Sequence, residues 1–195
     1  QFEVTFSEQK PATDTIAVNP DNTLFREADG SLLFRPAGHG ALLENLNDLK
    51  ADVIFIKNID NVVPDALKQP TIEYKKALGG LLLWILDRIE NLDKQLHENP
   101  SSATMNEALQ EMATYLGFVP AADFESKREA EKVAEIRAVL ARPTRVCGVV
   151  KNTGEPGGGP FWCQDAKGNF TLQLVESAQI DMKNEGQKAK FHQAS

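Results

Sequence analysis

The sequence predicts an α/β protein in which a helical insertion interrupts a mostly parallel sheet. Residues 52–59 form an almost continuous apolar run, which is typical of a central parallel strand covered on both faces. Residues 34–40 predict a short strand and a glycine turn that enters a helix. Residues 72–96 carry apolar side chains at the 3.6-residue spacing of an amphipathic helix. Strand signals on either side of a helical stretch therefore define the fold class.

The first 65 residues predict the first part of the α/β domain. Alternating apolar residues predict short strands at 2–7 and 14–18, and the sequences at 19–22 and 28–31 are typical of turns. A helix is expected to begin at the Gly-His-Gly turn, with its free backbone N–H groups directed toward whatever lies there.

Residues 66–143 predict a three-helix insertion. The apolar stripe at 72–96 marks the first helix, and capping-box patterns at Thr104 and Ser126 open the second and third. Gly117 is expected to end the second helix. We expect the helices to pack mainly on one another through a set of apolar side chains: Leu82, Ile85, Ile89, Leu109, Met112 and Val139.

The α/β domain is expected to return at residues 144–181, and residues 182–195 predict a polar tail, poorly ordered. Strands are predicted at 145–151 and 170–176, with the glycine-rich loop 154–159 between them. The charged run at 125–137 is most simply a solvated helix face.

Composition restricts the function. With 42% hydrophobic and 25% charged residues among 195, the chain has the composition of a soluble globular protein, and its net charge of −7 argues against nonspecific nucleic-acid binding. The longest apolar runs are too short to span a bilayer.

Cys147 and Cys163 lack ligand spacing and are expected to be small buried apolar residues of a cytoplasmic protein, with a disulfide or a reactive thiol as the alternative. Because the chain opens with Gln1 inside a strand-like segment, we expect a fragment of a longer protein.

Two short segments are candidates for chemistry. The glycines of Gly38-His39-Gly40 would let the main chain approach a flat base or a phosphate, although a tight turn with a surface histidine fits the same pattern. Asp60, between Asn58 and Asn61, suits a Mg²⁺ ion that bridges phosphates, although an Asx turn also fits.

The glycine-rich run 154–159 could hold a phosphate, but no Gly-Lys-Ser/Thr follows it, so it is not a P-loop. Glu176, at the end of an alternating segment, faces either water or the hydroxyls of a sugar. These alternatives stay open on spacing alone.

Four motifs in order resemble those of the UDP-sugar pyrophosphorylases: Phe6-x-x-Gln9-x-Pro11, Arg35 to Gly40, Ile56 to Asn61, and Leu174 to Gln179. Those enzymes join UTP to a sugar 1-phosphate on a Rossmann-like, mixed-sheet fold of the nucleotide-diphospho-sugar transferase type. The chain is most similar to an uncharacterised family, a domain of unknown function in larger proteins from Bacteroides-type bacterial genomes. The resemblance covers about residues 1–65 and 144–181 and leaves out the helical insertion.

The resemblance implies a role for each matching residue. Gln9, Gly38, His39 and Gly40 would bind the nucleotide, and Asp60 would bind the metal. Gly158 or Gly159, together with Glu176, would hold the sugar. The implied partners are a nucleoside triphosphate (UTP), a sugar 1-phosphate, Mg²⁺ and the remaining segments of the parent chain, with no nucleic acid and no membrane.

The chain also departs from that pattern. The family's N-terminal glycine-rich loop with its arginine is missing, and so is the downstream lysine of the sugar-phosphate site. We therefore expect this chain alone to be inactive. Two alternatives remain: a noncatalytic nucleotide-sugar binding module, and a structural or interaction protein that uses its helical insertion.

Overall fold

The computed structural model describes residues 2–58, 62–151 and 157–193, and the chain divides into two compact units. We call Gln1–Val62 the N-terminal unit and Val63–Ser195 the C-terminal unit. The predicted α/β class is confirmed in its general form, since helices and strands occur together. The two sheets among the described residues are both antiparallel.

The N-terminal unit is built on a short antiparallel pair. Strand β1 (Thr15–Ile16) pairs with β2 (Phe34–Arg35), with Ile16 opposite Phe34. A 3₁₀ helix, Pro11–Thr13, precedes β1. After β2, the 3₁₀ helix His39–Leu42 runs directly into α1 (Leu43–Asn47), which confirms the helix expected after the glycine turn.

Both predicted turns between β1 and β2 are confirmed. The N–H of Asn22 donates to the carbonyl oxygen of Asn19 at 2.9 Å, and the N–H of Gly30 donates to that of Glu27 at 2.9 Å. Asn22 has φ 64° and Gly30 has φ 86°, in the left-handed region that glycine and asparagine adopt most readily. The residue types at these positions therefore fix the hairpin locally.

The prediction of a buried central strand at 52–59 is wrong for its described residues, 52–58. They form no strand, and Phe55 is 60% exposed and Ile56 77% exposed. Residues 2–7 form no strand either. A strand needs a neighbour to receive its backbone hydrogen bonds. Within the described part of this unit, ladder pairing is confined to β1–β2 and two isolated bridges.

The three predicted helices of the C-terminal unit are confirmed: α2 (Lys68–Glu98), α3 (Ser102–Tyr115) and α4 (Glu129–Leu140). Short 3₁₀ helices lie at Asp65–Leu67 and Phe124–Ser126. Met112 and Val139 lie in the buried core as expected, and Ile89 and Leu109 pack against it. The buried cluster consists of Leu92, Leu96, Met105, Ala108, Met112, Phe118, Phe124, Ile136, Val139 and Leu140.

The helix starts differ from the predicted capping boxes. Helix α3 is capped by Ser101, whose Oγ accepts a hydrogen bond from the N–H of Thr104 at 3.1 Å. At α4, the N–H of Arg128 donates to the carboxylate of Glu131 at 3.0 Å. Gly117, with φ 54°, follows α3 as predicted.

The sheet of this unit has the order β3-β5-β4. Strands β4 (Gly158–Gln164) and β5 (Phe170–Glu176) form a hairpin, and β3 (Phe118–Val119) pairs with β5. Strand β5 was predicted, and β4 was not. The prediction of a strand at 145–151 is wrong, because those residues have no regular structure. Helix α5 (Glu185–Gln193) follows, with the ring of Phe191 stacked on Phe161 at 6.3 Å between centroids.

The turn of this hairpin is hydrogen-bonded to the segment that follows β3. Asn169, which is buried, accepts a hydrogen bond from the N–H of Ala121 at 3.0 Å through its Oδ1. Its Nδ2 donates to Asp165 at 2.9 Å, and this bond is the main cause that lowers the pKa of Asp165. One polar side chain thus joins the β4–β5 turn to the segment after β3.

Candidate nucleotide and sugar site

The structure brings Gln9 to the backbone beside the glycine turn. With the amide oriented so that both of its ends are satisfied, Nε2 of Gln9 donates to the carbonyl oxygen of Ala37 at 3.0 Å. The N–H of Ala37 donates to Oε1 of Gln9 at 2.8 Å. The side chain therefore pairs with both polar groups of the residue that precedes Gly38. Gln9 and Ala37 are far apart in the sequence, and no sequence signal identified Ala37 as the partner of Gln9.

The residues around Gln9 are fastened to α1. The carbonyl oxygen of Glu8 accepts a hydrogen bond from Nδ2 of Asn45 at 2.7 Å. Nζ of Lys10 forms an ion pair with Asp48 at 2.8 Å. The 3₁₀ helix His39–Leu42 joins the turn to α1, so these contacts connect residues 8–10 to the helical segment that follows the turn. The glycine turn is thus supported at both of its ends.

Gly38, His39 and Gly40 are all exposed. Gly38 has φ −67° and ψ −179°, an extended backbone that any residue can adopt. A Cβ atom added at Gly38 or Gly40 would have no described atom within 4 Å. The packing of the described residues therefore does not account for glycine at these two positions. The main chain there is accessible to a ligand.

The predicted sugar residues also lie together, in the C-terminal unit. Gly158 is directly opposite Glu176, and Gly159 is opposite Val175, at the open end of the β4–β5 hairpin. Glu176 is exposed, and its N–H donates to the side chain of Gln179 at 2.8 Å. A Cβ at Gly158 would lie 2.7 Å from the carbonyl oxygen of Val175, so this glycine has a structural role in the hairpin.

The predicted metal ligand, Asp60, lies outside the described residues. Within the parts of the chain that are described, no group of three or more His, Cys, Asp or Glu side chains could hold a metal ion. A magnesium ion held by one carboxylate and by phosphate oxygens needs no such group. The Mg²⁺ site therefore stays a prediction.

Both cysteines are free thiols. Cys147 is exposed and Cys163 is half-buried, so the prediction that both are buried is wrong. Cys147 lies in the segment that was predicted to be a strand, and among the described residues this segment pairs with no strand, which leaves the thiol exposed. Among the described helices, none is both long and apolar enough to cross a membrane.

A family model described as a domain of unknown function, DUF4301, matches residues 1–195. The chain belongs to the DUF4301 family. The expected membership of an uncharacterised family is thereby confirmed. No curated protein and no solved structure matches this DUF4301 chain.

Proposed function

We propose that this DUF4301 chain carries the nucleotide- and sugar-binding part of a Mg²⁺-dependent nucleotidyltransferase, which joins a nucleoside triphosphate, UTP, to a sugar 1-phosphate. The observation that carries the proposal is the pairing of Gln9 with Ala37 beside an exposed glycine turn. By the resemblance to the UDP-sugar pyrophosphorylases, both elements would belong to the region that binds the base. The mostly parallel, Rossmann-like sheet of those enzymes belongs to this proposal and rests on the resemblance alone.

The glycine turn would bind the base. A flat ring that lies against the main chain needs space where a Cβ would project, and Gly38 and Gly40 leave that space open. Backbone N–H and carbonyl groups in such a turn can recognise the edge of uracil. Gln9 would act through Ala37, because its amide fixes the peptide groups that lead into Gly38.

The sugar would lie at the open end of the β4–β5 hairpin. The exposed carboxylate of Glu176 is an acceptor of the kind that binds sugar hydroxyls, and Gly158 and Gly159 lie opposite Glu176 and Val175 at the same end of the hairpin. The structure gives Gly158 a packing role, so Gly159 is the better candidate of the two for a sugar contact.

The reaction would need no covalent intermediate. The sugar phosphate oxygen attacks the α-phosphorus in line, the bond to the β-phosphate breaks, and pyrophosphate leaves with its electron pair. Catalysis then consists of positioning and of neutralising the charge on the phosphates. Asp60 is the residue that would place Mg²⁺ against those phosphates.

The binding half of the proposal is tested with Gly38→Ala. The backbone there suits alanine and the new methyl group meets no described atom, so the fold should be unchanged. Affinity for Mg·UTP, measured by calorimetry, should fall by about tenfold or more, since an inserted methyl group typically costs a well-fitted contact ~1–3 kcal/mol. The matched control is Gly80→Ala, an exposed glycine in α2 whose added Cβ also meets nothing. Equal affinity in the wild type, Gly38→Ala and Gly80→Ala would show that the turn is not part of the UTP site.

The catalytic half is tested with Asp60→Asn in the complete gene product, by following pyrophosphate release from UTP and a panel of sugar 1-phosphates. Loss of the metal-positioning carboxylate should slow release on the order of a hundredfold. An Asx turn at this position predicts no change, because asparagine serves such a turn as well as aspartate. Unchanged rates would therefore exclude Asp60 from the reaction.

A further inference from the structure

The C-terminal unit contains a cleft of about 560 Å³, which none of the residues proposed for UTP, sugar or metal lines. One wall is the exposed face of the β4–β5 hairpin. The opposite side is formed by α2, by the end of α3 and by residues 142–149. Sites for small organic ligands occupy about 300–1,000 Å³, so the cleft has the size of a small-molecule site.

The hairpin wall of the cleft is apolar. Trp162 lies directly opposite Leu172, and Pro160 lies opposite Leu174, so the four side chains form one continuous surface. Trp162 is 53% exposed. Leu81 and Ile85 of α2 line the cleft as well. A half-exposed tryptophan among leucines is a favourable surface for a flat ring, because such a ring covers apolar area and stacks on the indole.

The charge of the cleft is opposite to that of the chain. Arg142 and Arg145 line it, and no Asp or Glu is among its described lining residues, although the net charge of the whole chain is −7. The arginines elsewhere in this unit have carboxylate partners: Arg88 with Glu111, Arg128 with Glu131 and Arg137 with Asp93.

The two cleft arginines are held by neutral groups instead. Nη2 of Arg145 donates to Oε1 of Gln173 at 3.2 Å, and the guanidinium of Arg142 lies 5.4 Å from the ring centre of Phe118. Within the described part of the chain, neither forms an ion pair with a carboxylate. Both keep donors for an anion.

We propose that this cleft binds a small organic anion, with its ring-bearing apolar body against Trp162 and Leu172 and its acidic group against Arg142 and Arg145. Two guanidinium groups favour a carboxylate, sulfonate or phosphate ester, since their planar N–H groups match such oxygens. The apolar walls favour a ligand with a flat hydrocarbon or aromatic part over an inorganic ion. This site is independent of the proposed nucleotide function.

The test uses two fluorescent probes that differ in one group. Anilinonaphthalene sulfonate has an aromatic body and a negative charge, and phenylnaphthylamine has a similar body without the charge. We expect wild-type protein to bind the sulfonate saturably at one site, with energy transfer from tryptophan. In Arg142→Gln/Arg145→Gln the affinity for the sulfonate should fall by roughly tenfold, because charged hydrogen bonds are lost, while affinity for the neutral probe stays within about twofold.

The matched control is Arg128→Gln/Lys188→Gln, which removes the same charge from two side chains outside the cleft. Arg128 pairs with Glu131, and Lys188 pairs with Glu185, three residues away in each case. It should bind both probes as the wild type does. Trp162→Ser should weaken binding of both probes, and circular dichroism with unfolding midpoints checks that every variant is folded. The proposal is overturned if the sulfonate binds the double glutamine variant as tightly as the wild type, if the control loses as much affinity, or if wild-type binding is not saturable.

Discussion

The two units use their apolar residues in opposite ways. In the C-terminal unit, α2, α3 and α4 bury a cluster that reaches complete burial at Ala108 and Ile136. In the N-terminal unit, no described residue is buried, and Phe2 is 99% exposed. What orders the N-terminal unit is a set of turns and hydrogen bonds, such as the one between Gln9 and Ala37.

The comparison shows that resistance to unfolding and a defined backbone turn have different physical sources in this chain. A buried aliphatic side chain contributes about 1.5–3 kcal/mol, whereas a hydrogen bond contributes about 1 kcal/mol net. The C-terminal unit therefore has the larger resistance to unfolding, and the N-terminal unit has a defined turn with little burial behind it. The proposed base-binding turn lies in the unit that we expect to open more easily.

The largest expected effect comes from Ile136→Ala. Ile136 is completely buried in α4, so its truncation should lower the free energy of unfolding of the C-terminal unit by about 2–5 kcal/mol in urea titrations. Ile16→Ala is the matched change in the N-terminal unit, where the side chain is 44% exposed, and it should leave this transition unchanged. If both substitutions cost the same, the contrast between the units is wrong.

A smaller effect is expected at two glycines of the C-terminal unit. Gly117→Ala should destabilise by about 1–2 kcal/mol or more, because φ is 54° and the new Cβ would lie 2.5 Å from Cβ of Leu172. Gly80→Ala, in the exposed face of α2, should instead stabilise by up to about 1 kcal/mol. Thermal unfolding of both variants checks the opposite signs. A destabilising Gly80→Ala would contradict the open space around this glycine.

The smallest effect is a pH dependence in the C-terminal unit. The side chain of Arg88 hydrogen-bonds Glu111, with Nε to Oε2 at 2.7 Å, and this bond lowers the pKa of Glu111 below its ordinary value of 4.5. A lowered folded-state pKa adds stability that is present above pH 4.5 and is lost as the pH falls through the folded-state value.

Glu111→Gln should remove this part of the acid sensitivity and leave the other carboxylates to titrate. Urea midpoints between pH 3 and pH 7 measure the difference, with Glu107→Gln as the control on the same helix. An identical pH profile for Glu111→Gln and wild type would show that the ion pair contributes nothing.

Local signals predicted local structure well. The turns at 19–22 and 28–31, the apolar stripe of α2 and the stop at Gly117 all depend on the residue's own backbone or on nearest neighbours. Helix starts were predicted less accurately, because Ser101 and Thr104 are both good capping residues and only Ser101 caps α3. Strand β4 was missed because its glycines and proline are typical of a loop, whereas Gly158 allows close approach to β5.

Features that depend on distant residues could not be predicted. Residues 52–58 have the composition of a buried strand, but a strand forms only where a neighbour accepts its hydrogen bonds. In the site, Gln9 and the glycine turn were both recognised through their motif, whereas their link through Ala37 required the structure. The cleft beside Trp162 collects side chains from helix, loop and hairpin, so no single sequence pattern marks it.

The most direct test of the proposed function follows the backbone amide resonances of Gly38, His39 and Gly40 by NMR during titration with Mg·UTP. If the turn binds the base, these resonances shift saturably with one dissociation constant, while those of α4 stay in place. Gln9→Ala should weaken the response by roughly tenfold, because the Ala37 peptide groups lose their side-chain partner. Saturable shifts confined to other residues, or no shifts at the turn, would contradict the proposal that the glycine turn binds the base.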